Sequence, residues 1–114
     1  MTNDNLYLDP DRMQASAEEA SQFLRSVANR DRLLLLCQLS RGELGVSDLE
    51  GLTGIRQPSL SQQLGVLRRE GLIQPRREGK QVHYRIRDNR ALDLLHKLYE
   101  LFCIDESPAD DPAA

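Results

Sequence analysis

Nine basic side chains crowd into residues 56–90 of this 114-residue chain: Arg56, Arg68, Arg69, Arg76, Arg77, Lys80, Arg85, Arg87 and Arg90. Only Glu70, Glu78 and Asp88 oppose them there, whereas the rest of the chain carries six basic and fifteen acidic residues. The formal net charge of −3 therefore hides a positive segment on an acidic body. Cations gathered this way suit polyanions, because each guanidinium or ammonium that meets a phosphate releases a counterion. A solvated charged face is the plainer reading of the same residues. The other reactive groups are the thiols of Cys37 and Cys103. In a reducing compartment two thiols do not make a structural disulfide, so any bridge between them is conditional. Free cysteines also serve as small buried hydrophobes, and Cys37 stands among leucines while Cys103 lies between Phe102 and Ile104. No C-x-x-C speaks for a thiol oxidoreductase. His83 and His96 are isolated, and no Ser/His/Asp set, glycine-rich phosphate loop or paired catalytic carboxylate is present, so neither an enzyme nor a cofactor is expected.

The elements that must position these groups follow from spacing. A chain of this length supports one core. Its longest apolar run, Leu33 to Cys37, is far short of the roughly 20 residues of a membrane span, and Met1-Thr-Asn-Asp-Asn5 has no basic stretch leading into an apolar one. The expected location is the cytosol, with no membrane partner. Met13, Ala17, Ala20, Leu24 and Val27 step by three and four, which predicts a first helix from Asp11 to about Ala28. Asn29 can cap a second helix, apolar around most of its girth through Leu33, Leu34, Leu35, Leu36, Cys37 and Leu39, and closed by Gly42. Ser47-Asp-Leu-Glu50 has capping-box spacing and opens a short third helix ending near Gly54. Pro58 suits the first position of a fourth, in which Leu60, Leu64 and Leu67 face inward and Ser59, Ser61, Gln62, Gln63 and Arg68 face out. A helix, a short turn and a helix with that outer face fit a recognition unit for the DNA major groove.

Leu72 to Arg77, the turn Glu78-Gly79-Lys80, and Gln81 to Ile86 read as a two-stranded hairpin. Val82, Tyr84 and Ile86 would face the core, and His83, Arg85 and Arg87 a basic exterior. Asp88 can cap a last helix striped by Leu92, Leu95, Leu98, Tyr99 and Phe102. The expected fold is mainly α with a two-stranded β wing, a winged helix-turn-helix with four helices, the hairpin and a fifth helix. Residues 1–10 are expected as a flexible arm, 11–104 as the DNA-binding and dimerisation domain, and 105–114 as a disordered acidic tail.

This order, with Arg56-Gln-Pro-Ser-Leu-Ser-Gln-Gln-Leu-Gly-Val-Leu-Arg-Arg-Glu-Gly-Leu-Ile73 at its centre, resembles the ArsR/SmtB family of bacterial repressors over about residues 11–104. Many members of that family sense metals. Where its arsenic and cadmium sensors read E-L-C-V-C-D-L, this chain has Glu43-Leu44-Gly45-Val46-Ser47-Asp48-Leu49. Where its zinc sensors place D-x-H and a later His, this chain has Asp88-Asn89-Arg90 and Leu101. A soft-metal site needs three or four convergent Cys or His ligands, so no metal site is expected. Cys37 and Cys103 do match in placement the sulfide- and persulfide-responsive subgroup, in which reactive sulfur species bridge the two thiols and the protein leaves its operator. Sensing of general oxidants or haem, and activation by displacing a silencer, stay open as alternatives.

The resemblance implies a homodimer on an inverted-repeat DNA operator, with reactive sulfur species as the effector. Gln57, Ser59, Ser61, Gln62 and Gln63 would meet base edges. Arg68, Arg77, Lys80 and Arg85, with His83 on the same strand, would meet the duplex chiefly through phosphates. Met13, Ala17 and Leu24 of the first helix and Leu95, Tyr99 and Phe102 of the last would form the dimer contact.

Overall fold

A computed structural model describes residues 7–104. The expected tail, 105–114, and residues 1–6 of the arm lie outside the described residues. Tyr7 to Asp9 have no regular structure, and helix α1, Pro10–Val27, follows with Pro10 in its first turn and the Asp9 carboxylate accepting from the Asp11 N–H at 3.0 Å. Asn29 caps α2, Arg30–Leu39, by accepting from the Arg32 N–H at 3.0 Å. Strand β1, Leu44–Gly45, leads directly into α3, Val46–Thr53. The start of α3 lies two residues earlier than Ser47 and Glu50 imply: Gly45 is the capping position, and the Asp48 carboxylate accepts its N–H at 3.1 Å. Gly45 has no hydroxyl, so only the acidic half of a capping box operates. Gly54 ends α3 in the left-handed region, at φ 77°.

Helix α4, Ser59–Arg69, begins one residue after Pro58 and is followed by β2, Ile73–Glu78, β3, Gln81–Ile86, and α5, Asn89–Phe102. The Asp88 carboxylate caps α5, accepting from the Arg90 N–H at 2.9 Å. The order of helices and hairpin is the expected one, but the sheet has three strands, in the order β1-β3-β2, where two were expected. Leu44 pairs with Tyr84 and Gly45 with His83. Two residues are too few to show an alternating pattern, and their partner lies about forty positions away, so local reading passes over β1. Glu78 opposes Gln81, which leaves only Gly79-Lys80 as the turn, with Gly79 at φ 66° supplying the positive φ that a two-residue hairpin needs.

The core is a leucine-rich cluster in which α2 is central. Leu35, Leu36 and Leu39 of α2 meet Leu49 of α3, Leu60, Leu64 and Leu67 of α4, and Leu72 and Ile73 at the start of the wing. Leu36 is fully buried. Truncating it removes packing from α2 and leaves a cavity, so Leu36→Ala is expected to lower unfolding free energy by about 2–5 kcal/mol in denaturant titration at fixed protein concentration. A loss under about 1 kcal/mol would mean that α2 is not the organising element. No helix among the described residues is long and apolar enough to cross a membrane.

Candidate functional site

Helix α4 buries one leucine face and presents the other side, yet the five polar residues near its start are not equivalent. Ser61 and Gln62 are exposed. Gln57 turns its side-chain oxygen back to accept the Ser61 N–H at 3.0 Å, capping the helix that neither Pro58 nor a Ser side chain caps. Ser59 donates its hydroxyl to the Asp31 carboxylate at 3.4 Å, and Gln63 Oε1 accepts from Arg32 Nη1 at 2.8 Å. Three of the five expected base readers are therefore engaged within the protein. Outer-face spacing identifies these positions but not their partners, because for Ser59 and Gln63 the partners stand on α2, about thirty residues upstream.

The cations of the wing also divide. Neighbouring residues on a strand point to opposite faces, and opposed residues on paired strands share a face. Arg77 opposes Val82, and Pro75 opposes Tyr84. On that side Arg68, from the last turn of α4, lines one hollow together with Arg77, Pro75, Val82 and Tyr84. Arg76 opposes His83, and Gln74 opposes Arg85, so His83 and Arg85 belong to the other side. There Arg85 Nη2 lies 2.7 Å from the Gln74 side-chain oxygen when that amide is turned to accept. His83 is half-buried against Gly45, with Nδ1 buried and without a partner among the described residues. The single basic exterior expected from alternation is corrected to two cationic faces. Arg68 and Arg77 form the set beside the recognition helix, and the exposed turn residue Lys80 stands at the tip of the wing.

Arg76 is held within the protein. It donates from Nε and Nη2 to the two Glu43 oxygens at 2.9 and 2.8 Å and reaches Glu78 at 3.1 Å, buckling the hairpin to the loop before β1. Its guanidinium holds the Glu43 carboxyl below the usual carboxylate range. The buckle is thus intact above the ordinary carboxylate pKa and loosens as pH falls through the lowered one. If Arg68 and Arg77 meet phosphates, each Ala substitution should reduce the slope of log affinity against log salt by about 0.9 per half-site, in titrations on one duplex from low to moderate salt. An unchanged slope would remove that residue from the contact set.

The two cysteines line a groove on another face. Cys37 points away from the buried Leu35, Leu36 and Leu39, and Cys103 follows α5, its N–H bonded to the Tyr99 carbonyl at 2.8 Å. Both are exposed, which disfavours the alternative reading of them as small buried hydrophobes. They line one predominantly apolar groove between α2 and α5, with Leu33, Leu34, Leu95 and Leu98 among its walls and His96 and Arg41 also facing it. Sequence reading missed Arg41, which lies two residues past the end of α2 without a motif to mark it. Of the expected dimer residues, Met13, Ala17, Leu24, Tyr99 and Phe102 are exposed, Phe102 at 80 %, while Leu95 is half-buried against the core. Leu101 and Ile104 extend this uncovered apolar surface. Among the described residues, no three His, Cys, Asp or Glu side chains gather as a metal centre.

A helix-turn-helix whose second helix stands beside a basic hairpin defines a winged helix-turn-helix DNA-binding protein. Residues 29–74 match the family described as "Bacterial regulatory protein, arsR family". The chain is 46% identical over 94 residues to the biofilm growth-associated repressor of Agrobacterium fabrum, covering 82% of this chain and 80% of that one. It is 34% identical over 91 residues to the transcriptional activator HlyU of Vibrio cholerae, covering 80% and 84%. Its fold is similar to the crystal structure of the transcriptional repressor BigR from Xylella fastidiosa, with a TM-score of 0.82 and 41% identity over 85% of this chain and 99% of that one. The chain belongs to the arsR family, and it is a DNA-binding regulator of transcription rather than an enzyme.

Proposed function

We propose that the protein is a cytosolic, homodimeric repressor that holds an inverted-repeat operator and leaves it when reactive sulfur species bridge Cys37 and Cys103. The observation carrying this reading is the exposure of both thiols on one groove between α2 and α5. In the reduced dimer the two α4 helices would enter successive major grooves about 34 Å apart. Ser61 and Gln62 read base edges, and Arg68, Arg77 and Lys80 neutralise phosphates. Gln57 adds its free amide donors, whereas Ser59, Gln63, His83 and Arg85 are left out of the contact set. The uncovered residues of α1 and α5, Met13, Ala17, Leu24, Tyr99 and Phe102, join the two copies, with Leu95 beneath them.

In the switching step one thiolate attacks the outer sulfur of a persulfide R–S–SH. The S–S bond breaks, R–S⁻ leaves and takes a proton from water, and the cysteine becomes Cys–S–SH. The second thiolate then attacks the inner sulfur and expels HS⁻, leaving the Cys37–Cys103 disulfide. The two thiols are oxidised and the persulfide is reduced to a thiol and sulfide. A disulfide tolerates Cα separations of only about 4.4–6.8 Å, so the bridge pins the end of α5 to α2 within that range. The bridge closes a loop of 66 residues in sequence separation, worth about 4 kcal/mol in the chain-entropy account. A movement of about an ångström at the dimer seam misplaces both recognition helices.

The test is to treat the purified protein with glutathione persulfide, weigh the intact chain by mass spectrometry, and run the same samples in a gel shift on a duplex selected by the reduced protein. An internal Cys37–Cys103 bridge accompanied by release is the expected result. A fully bridged protein that keeps its affinity would overturn the reading. The relative named as an activator, HlyU, supports one second reading, in which the same binding activates transcription. A promoter fusion with and without the regulator separates the two.

A further inference from the structure

Arg32 is the half-buried cation of an otherwise leucine-rich helix, and its guanidinium joins three segments. Nε donates to the Ser26 carbonyl at 2.8 Å, Nη2 to the Arg25 carbonyl at 3.1 Å, and Nη1 to Gln63 Oε1 at 2.8 Å. The first two acceptors belong to the last turn of α1, where a helix leaves carbonyls without internal partners. The neighbouring Leu24 and Val27 carbonyls are taken by the N–H groups of Ala28 and Asn29. Arg32 thus completes the C-terminal end of α1 and, with the same planar group, grips α4. Asp31 adds a second grip on α4 through the Ser59 hydroxyl.

We infer that Arg32 is a positioning residue for DNA recognition: it fixes the orientation of α4 against α1, and Gln63 is its strut rather than a reader of bases. This deepens the DNA-binding reading and is independent of the thiol switch. Guanidinium is suited to the task because its donors diverge in a fixed plane, so α1 and α4 cannot rotate past one another without breaking a charge-assisted hydrogen bond. Lysine carries the same charge on one atom and cannot hold the three acceptors in that geometry. Because Arg32 faces inward, its removal should alter how well Ser61 and Gln62 reach base edges without changing how many phosphates are neutralised.

The test uses the full chain and a duplex selected from a randomised library by the wild-type protein, with an unrelated duplex as the non-specific reference. Arg32→Lys and Gln63→Leu are each expected to lower affinity for the selected duplex about tenfold. Affinity for the unrelated duplex at low salt should stay within about twofold, with an unchanged salt slope. The double variant should be no weaker than Arg32→Lys alone, since that change already removes the Gln63 contact. Four results would overturn the inference: no loss on the selected duplex, a salt slope reduced by about one, losses that multiply in the double variant, or a changed base preference in Gln63→Leu. Should Arg32→Lys fail to fold by circular dichroism, Gln63→Leu decides alone by the same affinity, slope and base-preference readouts.

Discussion

A Phe102→Glu protein is expected to sediment as a folded monomer at micromolar concentration and to bind a two-half-site duplex about 10²- to 10⁴-fold more weakly than the parent. Phe102 is 80 % exposed on α5, beside the exposed Tyr99 and Leu101, and Leu24 is uncovered on α1. An aromatic side chain of this kind brings about 150–250 Å² of surface to an interface. In a symmetric pair every such contact occurs twice, so a buried carboxylate is introduced twice as well. The core made by α2, α3 and α4 does not include Phe102, and the monomer should keep its helical signal. The affinity falls because a second half-site held by a tethered partner is met at high effective concentration, and a lone copy forfeits that gain. Phe102 also lines the thiol groove, so Leu24→Glu, on the other helix of the proposed seam and outside that groove, gives an independent arm. Dimers persisting in both variants at native affinity would place the seam elsewhere.

Cys37→Ser and Cys103→Ser are expected to hold the selected duplex as tightly as the reduced parent and to ignore glutathione persulfide. The parent should lose about 5- to 150-fold in affinity, the usual range for coupling between two sites. Serine keeps the volume and some polarity of cysteine but has no thiolate, and each thiol lies outside the leucine core, so folding should be indifferent to either change. The pair of variants is more informative than one. A single sensing thiol would leave one of them responsive, whereas a bridge requires both. Release of the duplex by either variant on persulfide treatment would reject the two-thiol step even if the parent responds.

The helices were legible because their signals are local. Asn29 and Asp88 cap where their side chains predict, and Leu60, Leu64 and Leu67 point inward as their spacing requires. Strand β1 was not legible, since a two-residue strand draws its stability from a distant partner rather than from its own pattern. The same limit divides the candidate site. That the recognition helix presents Ser and Gln can be read from periodicity, but the engagement of Gln63 by Arg32 and of Ser59 by Asp31 depends on how α2 crosses α4. The wing's charges were overgrouped for a related reason. Composition counts arginines along the chain, while the pleat sends Arg77 and Arg76 to opposite sides and the Glu43 carboxylate occupies Arg76. For Cys37, the leucine neighbours in sequence mislead, because Leu35, Leu36 and Leu39 set the buried face of α2 and Cys37 falls outside it.

The buckle between Arg76 and Glu43, together with the third strand and the two-residue turn, has a kinetic corollary. A hairpin fastened at its flank and tip has already surrendered its freedom during folding, so landing on a duplex need not freeze a loose lobe. Capture should then resemble the meeting of two stiff bodies, its speed governed by long-range attraction between charges and by ionic strength rather than by a search through shapes.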